Sequence, residues 1–352
     1  MMPEEWPIAA QAAERTAGAR RAGRDRLSTV RVDFFLDPSE RLSEQERALM
    51  TAMLHCLISD IADEIRAALP NMATPANDDG NLALVERLSS AGLLDRRGLV
   101  RLLLRRADEE RIATGARSRA GRRDARVLQG LVSHSDGAVA AAAMSLIIAR
   151  GRRRDRFGQC LLHFDDLPSN EARALVSLLA AALRRELTAA SGAVEADRLL
   201  SAAMAHLLAR HDPSSSIEQL NSALVRLLDE EKALTDEVIV GAAIEGEMNF
   251  VAHALARRCN LSGEVALDEL LSADPTRIMA LLRMGRLNRD AAASLLAAIG
   301  DLIGIPDPAR AIDRFDRMSE SDVANALNWI SADPLYQRAV AELGRSDGQR
   351  AL

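Results

Sequence analysis

Aromatic residues are scarce in this 352-residue chain: two Trp, one Tyr and six Phe, 3% in all. Strands favour aromatic and β-branched side chains, whereas helices favour Ala, Leu, Arg and Glu. The scarcity therefore argues against a sheet protein before any pattern is read. Lysine is rarer still, with Lys232 alone against 44 arginines. Chemistry that needs a lysine has one candidate, and it sits in Asp229-Glu230-Glu231-Lys232 with no glycine loop before it. A P-loop and a protein-kinase fold each require a glycine-rich loop and a placed lysine, so both are excluded. No Gly-x-Ser-x-Gly elbow and no Gly-x-Gly-x-x-Gly fingerprint occurs either.

Three cysteines, Cys56, Cys160 and Cys259, are odd in number and far apart. That is no disulfide framework, and it points to a reducing, cytoplasmic setting. The first residues carry two glutamates where a signal peptide would carry positive charge. The longest nearly pure apolar run, Ala138 to Ala149, is 12 residues. A bilayer span takes about 20, so no membrane association is expected. Net charge is −6, which gives no global pull toward nucleic acid or acidic lipid.

What is present is helical. Apolar residues are 48% and charged residues 27% of the chain, a globular balance. Ser43-Glu44-Gln45-Glu46 reads as a capping box. After it Leu49, Met50, Met53, Leu54, Leu57, Ile58, Ile61, Ile65 and Leu69 recur at steps of three and four. The spacing predicts one long amphipathic helix over 43–69, ended by Pro70 and Pro75. Unless its wide apolar face is covered internally, it offers a homodimer interface. Val30 to Leu36 is the one clear alternation, a lone strand or an extended docking arm, or else the first turn of a helix or an apolar tether.

Residues 71–81 read as a linker. From Leu82 to about Gly304 one theme repeats: an apolar helix, a short polar break, another helix. Breaks are expected at Gly92, Gly115 to Gly121, Ser135 to Gly137, Gly151 to Arg154, Pro168, Ser191-Gly192, Asp212-Pro213, Asn260 to Gly263, Asp274-Pro275 and Gly285 to Asn288. Asp-Pro is a helix start, because aspartate caps and proline suits the first turn. Short loops force neighbouring helices antiparallel. The expectation is an all-α fold, an irregular HEAT-like array (α-solenoid) of antiparallel helix pairs. It has an N-terminal helical segment over 1–75, the array over 82–304 and a helical cap over 305–352.

Two stretches carry a family resemblance. One is Phe34-Phe35-Leu36 through Ser43-Glu44-Gln45-Glu46-Arg47-Ala48-Leu49-Met50. The other is Phe250-Val251-Ala252-His253-Ala254-Leu255-Ala256-Arg257-Arg258 through Leu281-Leu282-Arg283-Met284-Gly285 and the helix after Asn288. Together they resemble an uncharacterised alphaproteobacterial family of HEAT-like helical proteins, a domain of unknown function. The resemblance implies a fold and a bacterial cytoplasmic setting, and it implies no activity. Where that family often has Gly-Leu at a turn, this chain has Arg286-Leu287.

No catalytic, cofactor-binding or metal-binding set is expected. A helical zinc site needs ligands three or four apart. His206 and His211 are five apart, and His253 and Cys259 six. The carboxylates of Glu109-Glu110, Asp165-Asp166 and Asp229-Glu230-Glu231 read as solvated helix ends. The arginines are the uneven feature, since residues 93–126 hold eleven against five acids. Arg101, Arg105, Arg106, Arg119, Arg122, Arg123, Arg152, Arg153 and Arg154 are the candidates for a face toward an anionic partner. The leading expectation is a non-enzymatic scaffold or adaptor that binds a protein. The alternative is a nucleic-acid binder using those arginines, although aromatic stacking residues are missing there.

Overall fold

The computed structural model describes residues 42–70, 79–120 and 127–343, apart from 273, 334, 338, 341 and 342. The chain divides into Met1–Arg47 and Ala48–Leu352. The alternating segment at Val30 to Leu36 lies outside the described residues, as do positions 71–78 of the expected linker. The described residues are helical, with one isolated bridge between Arg154 and Cys160 and no strand.

Helix α1 is Glu44–Ala67. The Glu46 carboxylate accepts from the Ser43 amide at 2.8 Å, and the Ser43 hydroxyl accepts from the Glu46 amide at 3.2 Å. This reciprocal cap satisfies two donors that a helix start otherwise leaves orphaned. Of the apolar face foreseen for self-association, Met53, Leu57, Ile58, Ile61, Ile65 and Leu69 are buried within the chain, and Leu49, Met50 and Leu54 are half-buried. Then come α2 (Asp79–Ser90), α3 (Arg97–Ala120), α4 (Val127–Leu131) and α5 (Gly137–Arg152). Helices α6 (Ser169–Ser191) and α7 (Ala193–Arg210) form a long hairpin that turns on Gly192. The series continues with α8 (Ile217–Glu230), α9 (Asp236–Ile244), α10 (Met248–Cys259), α11 (Gly263–Leu270) and α12 (Pro275–Met284). It ends with α13 (Arg289–Ile299), α14 (Pro308–Arg317) and α15 (Glu320–Ile330).

Asp-Pro punctuation acts as its chemistry requires. The carboxylates of Asp212, Asp274 and Asp307 accept from backbone amides of the turn they open, with proline in the first helical turn each time. The break expected from Gly115 is absent, because α3 runs through it to Ala120. Glycine serves there as a notch. A Cβ at 115 would lie 2.6 Å from Cδ2 of Leu302, so the missing side chain lets a distant segment come close. Two unforeseen breaks fall after α8 and α9, where Lys232 (φ 57) and Gly246 (φ 74) turn the chain through the left-handed region. Arg286 also adopts it (φ 53).

Two hydrophobic cores result. One gathers α1, α2, the first half of α3, α6 and α7 around Leu57, Ile61, Leu103, Leu179 and Leu183. The other gathers the end of α3 with α4, α5 and α8 to α15 around Ile112, Leu146, Phe250 and Leu281. Helix α10 is the second core's hub, with every residue from Met248 to Ala256 buried. Helix α3 feeds both cores, through Leu99 to Ala107 on one side and Ile112 on the other. It also packs on α10, on α13 and on the turn Gly300–Ile303, far along the chain. A strict solenoid touches only its sequence neighbours. Here α3 is a strap across many of them.

A candidate cleft along the buried arginines of helix α3

Arg105 and Arg106 follow Leu102 and Leu103 on α3, and helical geometry carries them inward at the junction of the two cores. Burying a guanidinium is costly unless carboxylates meet it. Arg105 forks onto Asp268 with both contacts at 2.8 Å and reaches Glu264 at 3.0 Å. Arg106, 3% exposed, meets Glu109 through Nη1 at 3.0 Å, and its Nη2 donates to both oxygens of Glu218 at 2.8 Å. Asp166 stands 3.8 Å away. Burial works to lower the Arg106 pKa. Glu218, Glu109 and Asp166 outweigh it and hold the group well above its ordinary value.

Asp166 anchors a third buried arginine, Arg153. Its oxygens accept from Nε of Arg153 at 3.0 and 2.8 Å, from the Ile217 amide at 3.2 Å and from the His163 amide at 3.2 Å. Burial pushes its carboxyl up, but the charge of Arg106 and then the bond and charge of Arg153 win and lower it. Glu109 goes the other way. Burial raises it more than Arg106 lowers it, and Glu218 adds to the rise. Glu109 and Asp166 thus correct the expectation of solvated helix ends. Each is drawn inward by a cation that must not be left bare.

Of the nine candidate arginines, Arg105, Arg106 and Arg153 are buried in ion pairs. Arg154 pairs with Glu110 at 2.8 Å, and the exposed Arg119 holds Asp301. Arg101 and Arg152 are exposed. Arg122 and Arg123 lie outside the described residues. Five of the seven described candidates are therefore paired with acids 13 to 182 residues away.

These pairs border a cleft of about 710 Å³ between α3, α5, α9 and α10. Its inner end holds Arg106, Glu109 and Asn249, where the Asn249 amide nitrogen donates to Glu109 at 3.1 Å. Val127, Leu161, Ile217, Ile244 and Met248 supply apolar wall. Gly246 sits at the floor, where a Cβ would lie 2.6 Å from the Ala113 Cα. With φ already left-handed, Gly246→Ala is expected to cost about 2–3 kcal/mol. Urea unfolding that shows less than half of that would remove the close approach as its reason for being glycine.

Sequence reasoning missed Asn249 and Glu218, since neither belongs to a motif. Their role appears only when α8 and α10 meet α3. Cys160 also borders the cleft, and burial pushes its thiol up to about 11. Cys259 rises for the same reason to about 12. Both are protonated at neutral pH, which leaves no thiolate nucleophile at either position. His253 is buried beside α11, with Nδ1 2.8 Å from the Asn249 carbonyl, and burial lowers its pKa. Among the described residues no three His, Cys, Asp or Glu converge as metal ligands would, and no helix is long and apolar enough to cross a membrane.

Residues 88–327 match the model of a family described as "uncharacterised protein conserved in bacteria" (DUF2336), and the chain belongs to that family. Neither the curated proteins nor the solved structures offer a match.

Proposed function

We propose that this member of the DUF2336 family is a non-enzymatic scaffold or adaptor that binds a protein partner in the bacterial cytoplasm. Its helix pairs form an irregular HEAT-like array, and α3 straps it. The observation that carries the reading is the outward face of α5. Ala138, Ala141, Met144, Ser145 and Ile148 are exposed at helical spacing, and none bears a charge. Met144 is 42% and Ile148 49% exposed. Beyond the helix, Phe157 is 75% exposed. Single exposed apolar residues are ordinary, whereas a contiguous uncharged stripe marks a contact surface. A helix face of this kind suits a partner helix or groove.

Cys56, Cys160 and Cys259 form no disulfide with one another, which agrees with a reducing compartment. The nucleic-acid alternative needs an open basic face, and the internal pairing of the candidate arginines speaks against it.

A photoreactive amino acid at Ile148 tests the scaffold in living bacteria. The expected result is one crosslinked species of fixed mass, absent when the same probe stands at exposed Ser201 and lost in the Met144→Glu background. Identical patterns at 148 and 201 defeat the reading. Duplex DNA bound at about 50 mM salt and released by about 200 mM would favour the alternative instead.

A further inference from the structure

A second groove, of about 480 Å³, lies between α12, α14 and α15. Its base is apolar, made by the buried Ala280, Met318 and Ile330 and the half-buried Ala326. Trp329 adds an aromatic wall, 37% exposed, with the Tyr336 ring set edge-on to it at 6.2 Å. These are the one tryptophan and the one tyrosine among the described residues. Tryptophan, tyrosine and arginine are the residues that anchor protein contacts. In a chain this poor in aromatics, their meeting beside an arginine-lined groove marks a contact surface.

Charge identifies the occupant. In the cleft beside α3 every lining arginine already holds a carboxylate. The second groove differs. Arg314 lines it and donates through Nη1 to the Thr276 hydroxyl at 3.0 Å, and it forms no ion pair among the described residues. Arg317, also in the lining, stands 3.7 Å from Asp313 in a pair with side chains 81% and 63% exposed. So open a pair contributes little and gives way readily. Arg277 is held by Glu269 at 2.7 Å. The acid in the lining, Asp322, is engaged at its own helix start, where it accepts from the Ser319 amide at 2.9 Å and the Ser319 hydroxyl at 2.7 Å. Two guanidinium groups are thereby left for an acid from outside, next to a base that suits aliphatic side chains. A nucleotide would use the arginines and the Trp329 ring but leave that base uncovered.

We propose that the groove between α12, α14 and α15 docks a segment of a protein partner in which aliphatic side chains stand beside a glutamate or aspartate. The aliphatic side chains cover Ala280, Met318 and Ile330. The carboxylate accepts from the nitrogens of Arg314 that Thr276 leaves unused, a charge-assisted contact that fixes the segment's register. This surface is separate from the outward face of α5 and does not depend on it.

The full chain carrying Trp6→Phe leaves Trp329 as its sole tryptophan and so as the reporter. It is titrated with acetyl-Leu-Glu-Glu-Leu-Leu-amide and with the same peptide carrying lysine in place of glutamate. The acidic peptide is expected to change the Trp329 emission saturably, with a dissociation constant on the order of 100 μM for so short a probe. The lysine peptide should bind at least about tenfold more weakly. Arg314 is exposed, so Arg314→Glu should melt as wild type does while reversing the preference toward the lysine peptide. Arg314→Gln, which introduces no charge, should reduce the preference, and Arg101→Glu, on the exposed side of α3, should leave it unchanged. Emission that stays flat, equal binding of the two peptides, or a preference that both Arg314 variants leave in place overturns the proposal. So does adenosine monophosphate binding more tightly than the acidic peptide, because a phosphate would then be the preferred guest. The titration needs no cellular partner, whereas the crosslink at Ile148 does. A failed crosslink with an intact titration removes the reading of the α5 face, and the reverse removes only the groove.

Discussion

Arg106→Met is expected to destabilise the protein by about 3–5 kcal/mol. The substitution keeps most of the side chain's volume and apolar stem, so packing is not what is lost. What is lost is the one cation shared by Glu109, Glu218 and Asp166. The Glu218 side chain is 13% exposed and that of Asp166 is fully enclosed, so water cannot take the arginine's place. Removing one member of a buried ion cluster leaves uncompensated charge, which costs far more than the pair contributed. Arg106→Lys does not rescue it, because an ammonium has one nitrogen where the guanidinium holds Glu218 with Nη2 and Glu109 with Nη1. Two comparisons fix the scale. Arg101→Met, on the exposed side of the same helix, should fall within about 0.5 kcal/mol of wild type. Arg105→Met should lie between the two, since Glu264 and Asp268 are 59% and 41% exposed and regain water when released. Guanidinium unfolding of the four variants that ranks Arg106 with Arg101 would show that the cluster is not holding the two cores together.

The parts of this fold governed by neighbouring residues were legible. Ser43 with Glu46, and the aspartates of Asp212-Pro213, Asp274-Pro275 and Asp307-Pro308, satisfy backbone groups within one turn. Gly115 was misread because the same residue type that ends a helix also lets two helices touch, and only the distant Leu302 decides between them. Arg286 shows the converse, a left-handed turn with no glycine to announce it. The candidate site was half visible. The arginines stood out, but Arg105 and Arg106 were read as part of a face toward an anionic partner, whereas they are buried in ion pairs. Their partners lie 112 residues away at Glu218 and 163 at Asp268, and no local pattern links them. Asn249 left no trace at all, since a single asparagine on an apolar helix gains its meaning from the carboxylate it meets.

Asp166→Asn is expected to cost about 3–5 kcal/mol at neutral pH, and the cost should shrink in acid. An asparagine of the same shape sets an NH₂ group, or at best one neutral oxygen, against the Arg153 donor that now has two carboxylate contacts. It also withdraws the charge nearest to the outer edge of Arg106. Because the folded pKa of Asp166 lies below its ordinary 3.8, its contribution is complete above that value and fades as pH falls through the lowered one. Wild type and variant should therefore converge in acid. Glu109 has the opposite sign. Its folded pKa lies above the ordinary 4.5, so the folded state binds the extra proton and stability falls as pH rises through that interval. Glu109→Gln escapes that loss, and its stability relative to wild type should improve as pH rises from about 4 toward neutrality. Two carboxylates on one guanidinium are thus expected to give variants whose pH dependences run in opposite directions. Parallel curves would mean that burial does not separate them, and that the enclosed Asp166 and the cleft-facing Glu109 share one environment.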